Sequence, residues 1–214
     1  MKTEALISIL ARGPVKADLR TTTRRVSLAT TSGLLIAAAA MWSLLGPRPD
    51  LAFAIAMPMF WLKFMVPLGL AAAFFVASSR LARPGYKASG SWQAVTVMLV
   101  LLWASGAISL ANVPSEQRAT VVQGTSSWLC VASIAALAMP LLACVLLAMR
   151  SLASTRPAWA GAAAGGLAGS VAAFVYAVHC TEMTLSFLAV WYVLGIAVPA
   201  AIGAAVGPRL RRWA

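Results

Sequence analysis

The chain has 214 residues, of which 61% are hydrophobic and only 10% charged, and its mean hydropathy is +0.86. A soluble domain carries roughly 25% charged residues, so the composition excludes a water-soluble globular protein, and three cysteines are too few for a secreted disulfide scaffold. The net charge of +12 would point to nucleic acid in a soluble protein, but in a membrane protein it is first a topology signal.

The chain opens with a polar, basic segment, residues 1–25. Within it, MKTEALISILA can form a short helix with Thr3 as N-cap. Leu6, Ile9 and Leu10 then share one face, and Gly13-Pro14 ends the helix. Two uses stay open. The helix can lie on the membrane surface as an amphipathic anchor. It can instead be offered to a groove on a soluble partner, with Arg12, Lys16 and Arg20 meeting acidic surface.

Six apolar runs follow, at Val26 to Leu45, Met57 to Ser78, Ser91 to Ala111, Ser127 to Met149, Ala158 to Val178 and Leu185 to Val206. Each is long enough to cross about 30 Å of hydrocarbon as a helix. The expected fold is all-α: a polytopic bundle of six transmembrane helices (residues 26–214) behind a short N-terminal helix. Pro67, Pro140 and Pro199 should kink their spans. Seven of eight tryptophans, all but Trp103, fall near span ends, as an aromatic belt requires. Gly161, Gly165 and Gly169 in the fifth span, with Gly203 and Gly207 in the sixth, allow close helix approach. That serves packing within one bundle, or a homodimer through these glycine-rich helices.

The connecting segments sort by charge. Lys2, Arg12, Lys16, Arg20, Arg24 and Arg25, then Arg80, Arg83 and Lys87, then Arg150 and Arg156, then Arg209, Arg211 and Arg212 all fall on one side, 14 of the 17 basic residues. The other side has Arg48, Lys63 and Arg118, balanced by Asp50, Glu116 and Glu182. The positive-inside rule then puts both termini in the cytoplasm. The +12 is thereby accounted for without direct nucleic-acid binding. Lys63, near the outer end of the second span, is expected to snorkel to the interface and to pair with Asp50.

Transport is disfavoured, because no span carries Asp, Glu or His at its centre. Catalysis is disfavoured too: there is one histidine, and no HExxH, GxSxG, CxxC or phosphate-cradling loop. No cofactor is expected. What remains is the tail and two cysteines. Cys130 lies about one turn into the fourth span in SSWLC, and Cys180 lies just beyond the fifth in HCTEM, both at the outer surface. Cys144, 14 residues beyond Cys130 and so about 21 Å deeper, is a packing cysteine.

MKTEALISILA, GPRPDL, FWLKF, LARPG, SWLC with the later Pro140, HCTEM, the Trp191-Tyr192 pair and the terminal GPRLRRW together resemble the NrsF family of six-helix bacterial inner-membrane proteins, regarded as anti-sigma factors. The resemblance runs over nearly the whole chain. It implies a non-enzymatic protein of the bacterial inner membrane whose N-terminal segment holds an extracytoplasmic-function sigma factor inactive. It also implies that Cys130 and Cys180 sense oxidative or heavy-metal stress. His179, beside Cys180, would complete a metal site with the two thiols, a thiophilic metal ion then being the signal; a redox site needs only the thiols. Either chemistry would change the spacing of the fourth and fifth spans, which the Arg150 to Arg156 loop joins. The alternative function is a membrane thiol oxidoreductase or metal carrier using Cys130, Cys180 and His179.

Overall fold

The computed structural model describes residues 19–83, 85–86, 88–150 and 154–210. The described residues form helices and no strand. In chain order these are α1 (Leu19–Ala40), which runs on through a π-helical turn at Met41–Leu45; α2 (Leu51–Ala54); α3 (Pro58–Leu81); α4 (Ser89–Ala111); α5 (Ser115–Gln123); α6 (Ser127–Arg150); α7 (Pro157–Tyr176); and α8 (Leu185–Leu210), which contains a second π turn at Leu188–Tyr192. All but α2 lie within the six segments long and apolar enough to cross a membrane, the fourth of which, Ser115–Arg150, takes in both α5 and α6.

The spans match the expected ones to within a few residues, except the first. Helix α1 begins at Leu19, so the end of the expected 1–25 segment is already helical. The expected helix carrying Leu6, Ile9 and Leu10, together with Arg12 and Lys16, lies outside the described residues. Two short helices were not anticipated. In α5, Pro114 sets the entry, Glu116 sits in the first turn where the helix dipole favours an anion, and Gly124 at φ +55° ends it. Arg118 on α5 reaches back to the end of α4 and the loop after it, donating to Ala111 O at 3.3 Å and Val113 O at 2.9 Å.

Helix α7 is the axis of the bundle. Its sequence, PAWAGAAAGGLAGSVAAFVY, is almost all small residues, so neighbouring backbones can come close from several sides. It packs most extensively on α8 and α3, then on α6, with α1 touching it more lightly. A Cβ on Gly161 would run into the Gly203 carbonyl, and one on Gly165 into the Pro199 carbonyl. The glycine faces of α7 and α8 are therefore spent on each other within one chain. By contrast α4 keeps Val97, Leu101, Trp103 and Ile108 exposed, an apolar surface suited to lipid.

Alternation of direction gathers Arg24, Arg25, Arg80, Arg83, Arg150, Arg156 and Arg209 at one end of the bundle, the basic end. There Arg83 donates to Thr23 Oγ1 and lies 5.7 Å from the Tyr86 ring centroid, tying the loop after α3 to the start of α1. Loops 46–57, 112–126 and 177–184 meet at the opposite end. Trp42, Trp61, Trp128 and Trp159 are exposed near helix ends as a belt needs, but Trp191 is not a belt residue. It is buried and donates its indole N–H to Val122 O at 2.7 Å.

Because α7 and α8 touch backbone to backbone, Gly165→Leu should cost about 3 kcal/mol or more by forcing them apart. Thermal unfolding of the detergent-solubilised protein would register this as a marked loss, while Leu101→Ala on the exposed face of α4 should leave the transition within error.

Candidate functional site

The end opposite the basic one is organised by a single loop, residues 177–184. Helix α7 closes with the Cys180 N–H and His179 N–H both directed at Tyr176 O, at 3.1 and 2.9 Å. This turn holds Cys180 against the bundle, 2% exposed, beside Thr181, which is exposed. Cys130, one turn into α6 and fully buried, faces it. Both are free thiols and are hydrogen-bonded to each other. The structure thus brings together the two cysteines that the sequence placed at one surface. Cys144 is elsewhere on α6 and only half-buried.

Two cations converge on the backbone of this loop. Lys63 on α3 is 1% exposed, and its Nζ donates to Cys180 O at 2.9 Å and to Glu182 O. Its Nζ also lies 5.8 Å from the centroid of the Tyr192 ring. Arg48 donates to Cys180 O at 3.4 Å and closes a bidentate pair on Asp50, at 2.7 and 2.6 Å. The expected Lys63–Asp50 pair is therefore corrected. Two residues of separation suit the planar guanidinium to Asp50, while Lys63 turns inward to carbonyls instead of snorkelling outward. The same contact with Arg48 holds the Asp50 carboxyl below the usual carboxylate range.

The loop also binds its neighbours. Arg48 N–H donates to Val178 O at 3.2 Å. His179 Nδ1 donates to Gly46 O at 2.8 Å, since a carbonyl can only accept. Gly46 itself sits at φ +71°, where its N–H returns to Met41 O and ends α1. Glu182 Oε1 accepts from Thr125 N and Thr125 Oγ1 at 2.8 and 2.7 Å, fixing the start of α6. Trp103 N–H donates to Ala189 O at 2.9 Å within the π turn of α8, tying α4 to the same region.

Among the described residues no group of three or more His, Cys, Asp or Glu side chains is arranged to hold a metal ion. His179 Nδ1 is engaged at the end of α1 and Glu182 at the start of α6, and neither joins Cys130 and Cys180 in such a group. What the arrangement offers is dithiol chemistry. The Cys180 thiol is held below the usual thiol range, first by the hydrogen bond from Cys130 and further by Lys63 and Tyr192.

Lys63, Arg48 and Tyr192 were not assigned to this cluster from sequence. A signal was present in FWLKF: a lysine inside an otherwise apolar span needs partners somewhere. Its partners are backbone carbonyls, which no motif records.

The family described as negative regulator of sigma F, NrsF, matches residues 10–213. The probable anti-sigma-F factor NrsF of Azospira oryzae is 40% identical over 213 residues, and the anti-sigma-F factor NrsF of Caulobacter vibrioides is 36% identical over 214; both alignments cover 100% of each chain. No solved structure matches. Matched from end to end by its relatives, the chain belongs to the NrsF family.

Proposed function

We propose that this chain is an anti-sigma factor of the bacterial inner membrane, with both termini cytoplasmic. Its residues 1–25 sequester an extracytoplasmic-function sigma factor, and oxidation of Cys130 and Cys180 on the periplasmic face releases it. The observation that carries the regulatory role is the full-length match to proteins named as anti-sigma-F factors. It places the chain in a regulatory rather than a catalytic family. Orientation follows from the charges: the basic end is the cytoplasmic end, and six spans return the C-terminus to the side of the N-terminus.

The switch reading rests on the cysteine pair and on what its loop holds. Two free thiols meet in a compartment that permits disulfides. The loop carrying Cys180 grips the periplasmic end of α1 through Gly46 and Arg48. The other end of α1 continues directly into the tail. A bridge between Cys130 and Cys180 would re-set the loop, and α1 would carry that change to residues 1–25. This route is shorter than one through α6, α7 and the Arg150 to Arg156 loop.

Leu6, Ile9 and Leu10 bury their shared face on the sigma factor, contributing about 1.5 to 3 kcal/mol each before ordering costs. Arg12 and Lys16 speed the encounter. Leu6→Asp combined with Leu10→Asp should therefore switch on the regulon constitutively at unchanged membrane abundance, as a reporter assay with a membrane immunoblot would register. Continued repression would remove the tail face as the contact.

In the same assay Cys130→Ser or Cys180→Ser should keep repression but change induction by oxidants or thiophilic metals, whereas Cys144→Ser responds like the parent. If both single variants respond like the parent, the cysteine switch fails and the tail contact stands alone.

A further inference from the structure

Among the described residues, the cluster around Cys180 contains a charge without a carboxylate counter-ion. Among the described residues the ion pair formed is Arg48–Asp50. Lys63, buried at the head of α3, meets two carbonyls and an aromatic face instead of a carboxylate. Carbonyls orient an ammonium but do not neutralise it, and a buried cation favours an anion close by. The remaining groups around Cys180 narrow the choice. Arg48 is taken by Asp50, and the Glu182 carboxylate is taken by Thr125. Cys130 from α6, Tyr176 from α7 and Tyr192 from α8 complete the surround. The His179 ring is turned to Gly46.

We propose that Lys63 is the positioning residue that makes Cys180 the attacking thiol of the pair, with a small hydroperoxide as its oxidant and Cys130 as the resolving thiol. The proposal rests on the redox-switch reading of the same cysteines and specifies its chemistry. Lys63 fixes the Cys180 backbone by its hydrogen bond to the carbonyl and supplies the positive charge that matches a Cys180 thiolate. Tyr192, buried with no oxygen or nitrogen partner for its hydroxyl among the described residues, lies against the same sulfur. Cys130 donates its S–H to Cys180, which suits it to a thiol that waits rather than one that attacks.

The steps balance. The Cys180 thiolate attacks the terminal oxygen of ROOH, the O–O bond breaks, and a sulfenic acid forms on Cys180 while RO⁻ leaves and takes up the proton that Cys180 had released. The Cys130 thiol then attacks the Cys180 sulfur, the S–O bond breaks, and its proton leaves with the hydroxyl group as water. Two thiols and one hydroperoxide become one disulfide, one alcohol and one water. The two electrons come from the sulfur pair and reduce the peroxide. Thr181, next in sequence, is exposed.

The test uses the full-length Cys144→Ser protein in membrane vesicles. Iodoacetamide labelling of Cys180 is followed by mass spectrometry between about pH 5 and pH 9, and so is the rate of Cys130–Cys180 bridging by hydrogen peroxide. The parent should label Cys180 faster than Cys130, with a midpoint clearly below the value of about 8.5 for an ordinary thiol. Lys63→Met should move that midpoint up by about one unit and slow bridging about tenfold at neutral pH, with Lys63→Arg restoring most of both. A parent profile centred near an ordinary thiol, or an unchanged profile in Lys63→Met, overturns the proposal. If Lys63→Met fails to accumulate, the parent profile and Lys63→Arg still decide it. Sigma-factor release is not read in this experiment, so failure of the switch and failure of the Lys63 assignment remain distinguishable.

Discussion

A lysine inside an apolar helix has to be satisfied, and the way Lys63 is satisfied organises one whole end of this protein. A charged side chain at the centre of a spanning helix costs about 2.5 to 3.5 kcal/mol on insertion scales. Burial near a helix end is still unfavourable unless each N–H finds an acceptor. Residues 180–182 leave helical geometry, and Cys180 and Glu182 turn their carbonyls to Nζ. That irregular backbone is tolerable because it is packed within protein, between α3, α6 and α8. The small-residue surface of α7 makes the arrangement reachable, since it draws α3 and α8 close enough for Lys63 and Tyr192 to meet the loop that ends α7.

Several other features follow from that placement. Once Cys180 O is fixed by Lys63, it also accepts from Arg48, and Arg48 orders Asp50 and the loop after α1. Glu182 is free to reach Thr125, and so to hold the start of α6 where Cys130 sits one turn in. Each loop at this end is therefore tied directly or through one neighbour to the peptide units around Cys180. A covalent change at that residue acts on the point where the contacts of three loops converge. Both π turns, Met41–Leu45 and Leu188–Tyr192, lie at this end, as expected where helices bend to fit a site.

The membrane architecture was legible because it depends on local quantities. Hydropathy over about 20 residues fixes a span, and the sorting of arginines marks one end of the bundle. The polar run Thr21-Thr22-Thr23-Arg24-Arg25 points to a first span starting at Val26, yet a helix can extend past the hydrocarbon into a basic segment, and α1 begins at Leu19. The glycine spacing correctly announced close packing, but one chain's spacing cannot say whose backbone arrives, and it proved to be α8. The site was legible only in outline. Cys130 and Cys180 could be placed at one surface by helix geometry, whereas Lys63, Tyr192 and the 180–182 carbonyls meet across more than a hundred residues of chain. His179 drew notice because of its neighbour in sequence; its ring also donates to the end of α1, which no spacing records.

The central claim is that the thiol state of Cys130 and Cys180 sets the grip of residues 1–25 on a sigma factor. Native membranes carrying both proteins can be titrated with hydroperoxide. In each sample the fraction of chain bridged between Cys130 and Cys180 is measured beside the fraction of sigma factor still bound. The account predicts that bound sigma factor falls in step with bridging and returns on reduction. Near-complete bridging with the sigma factor fully retained, or release while both thiols stay free, would contradict it.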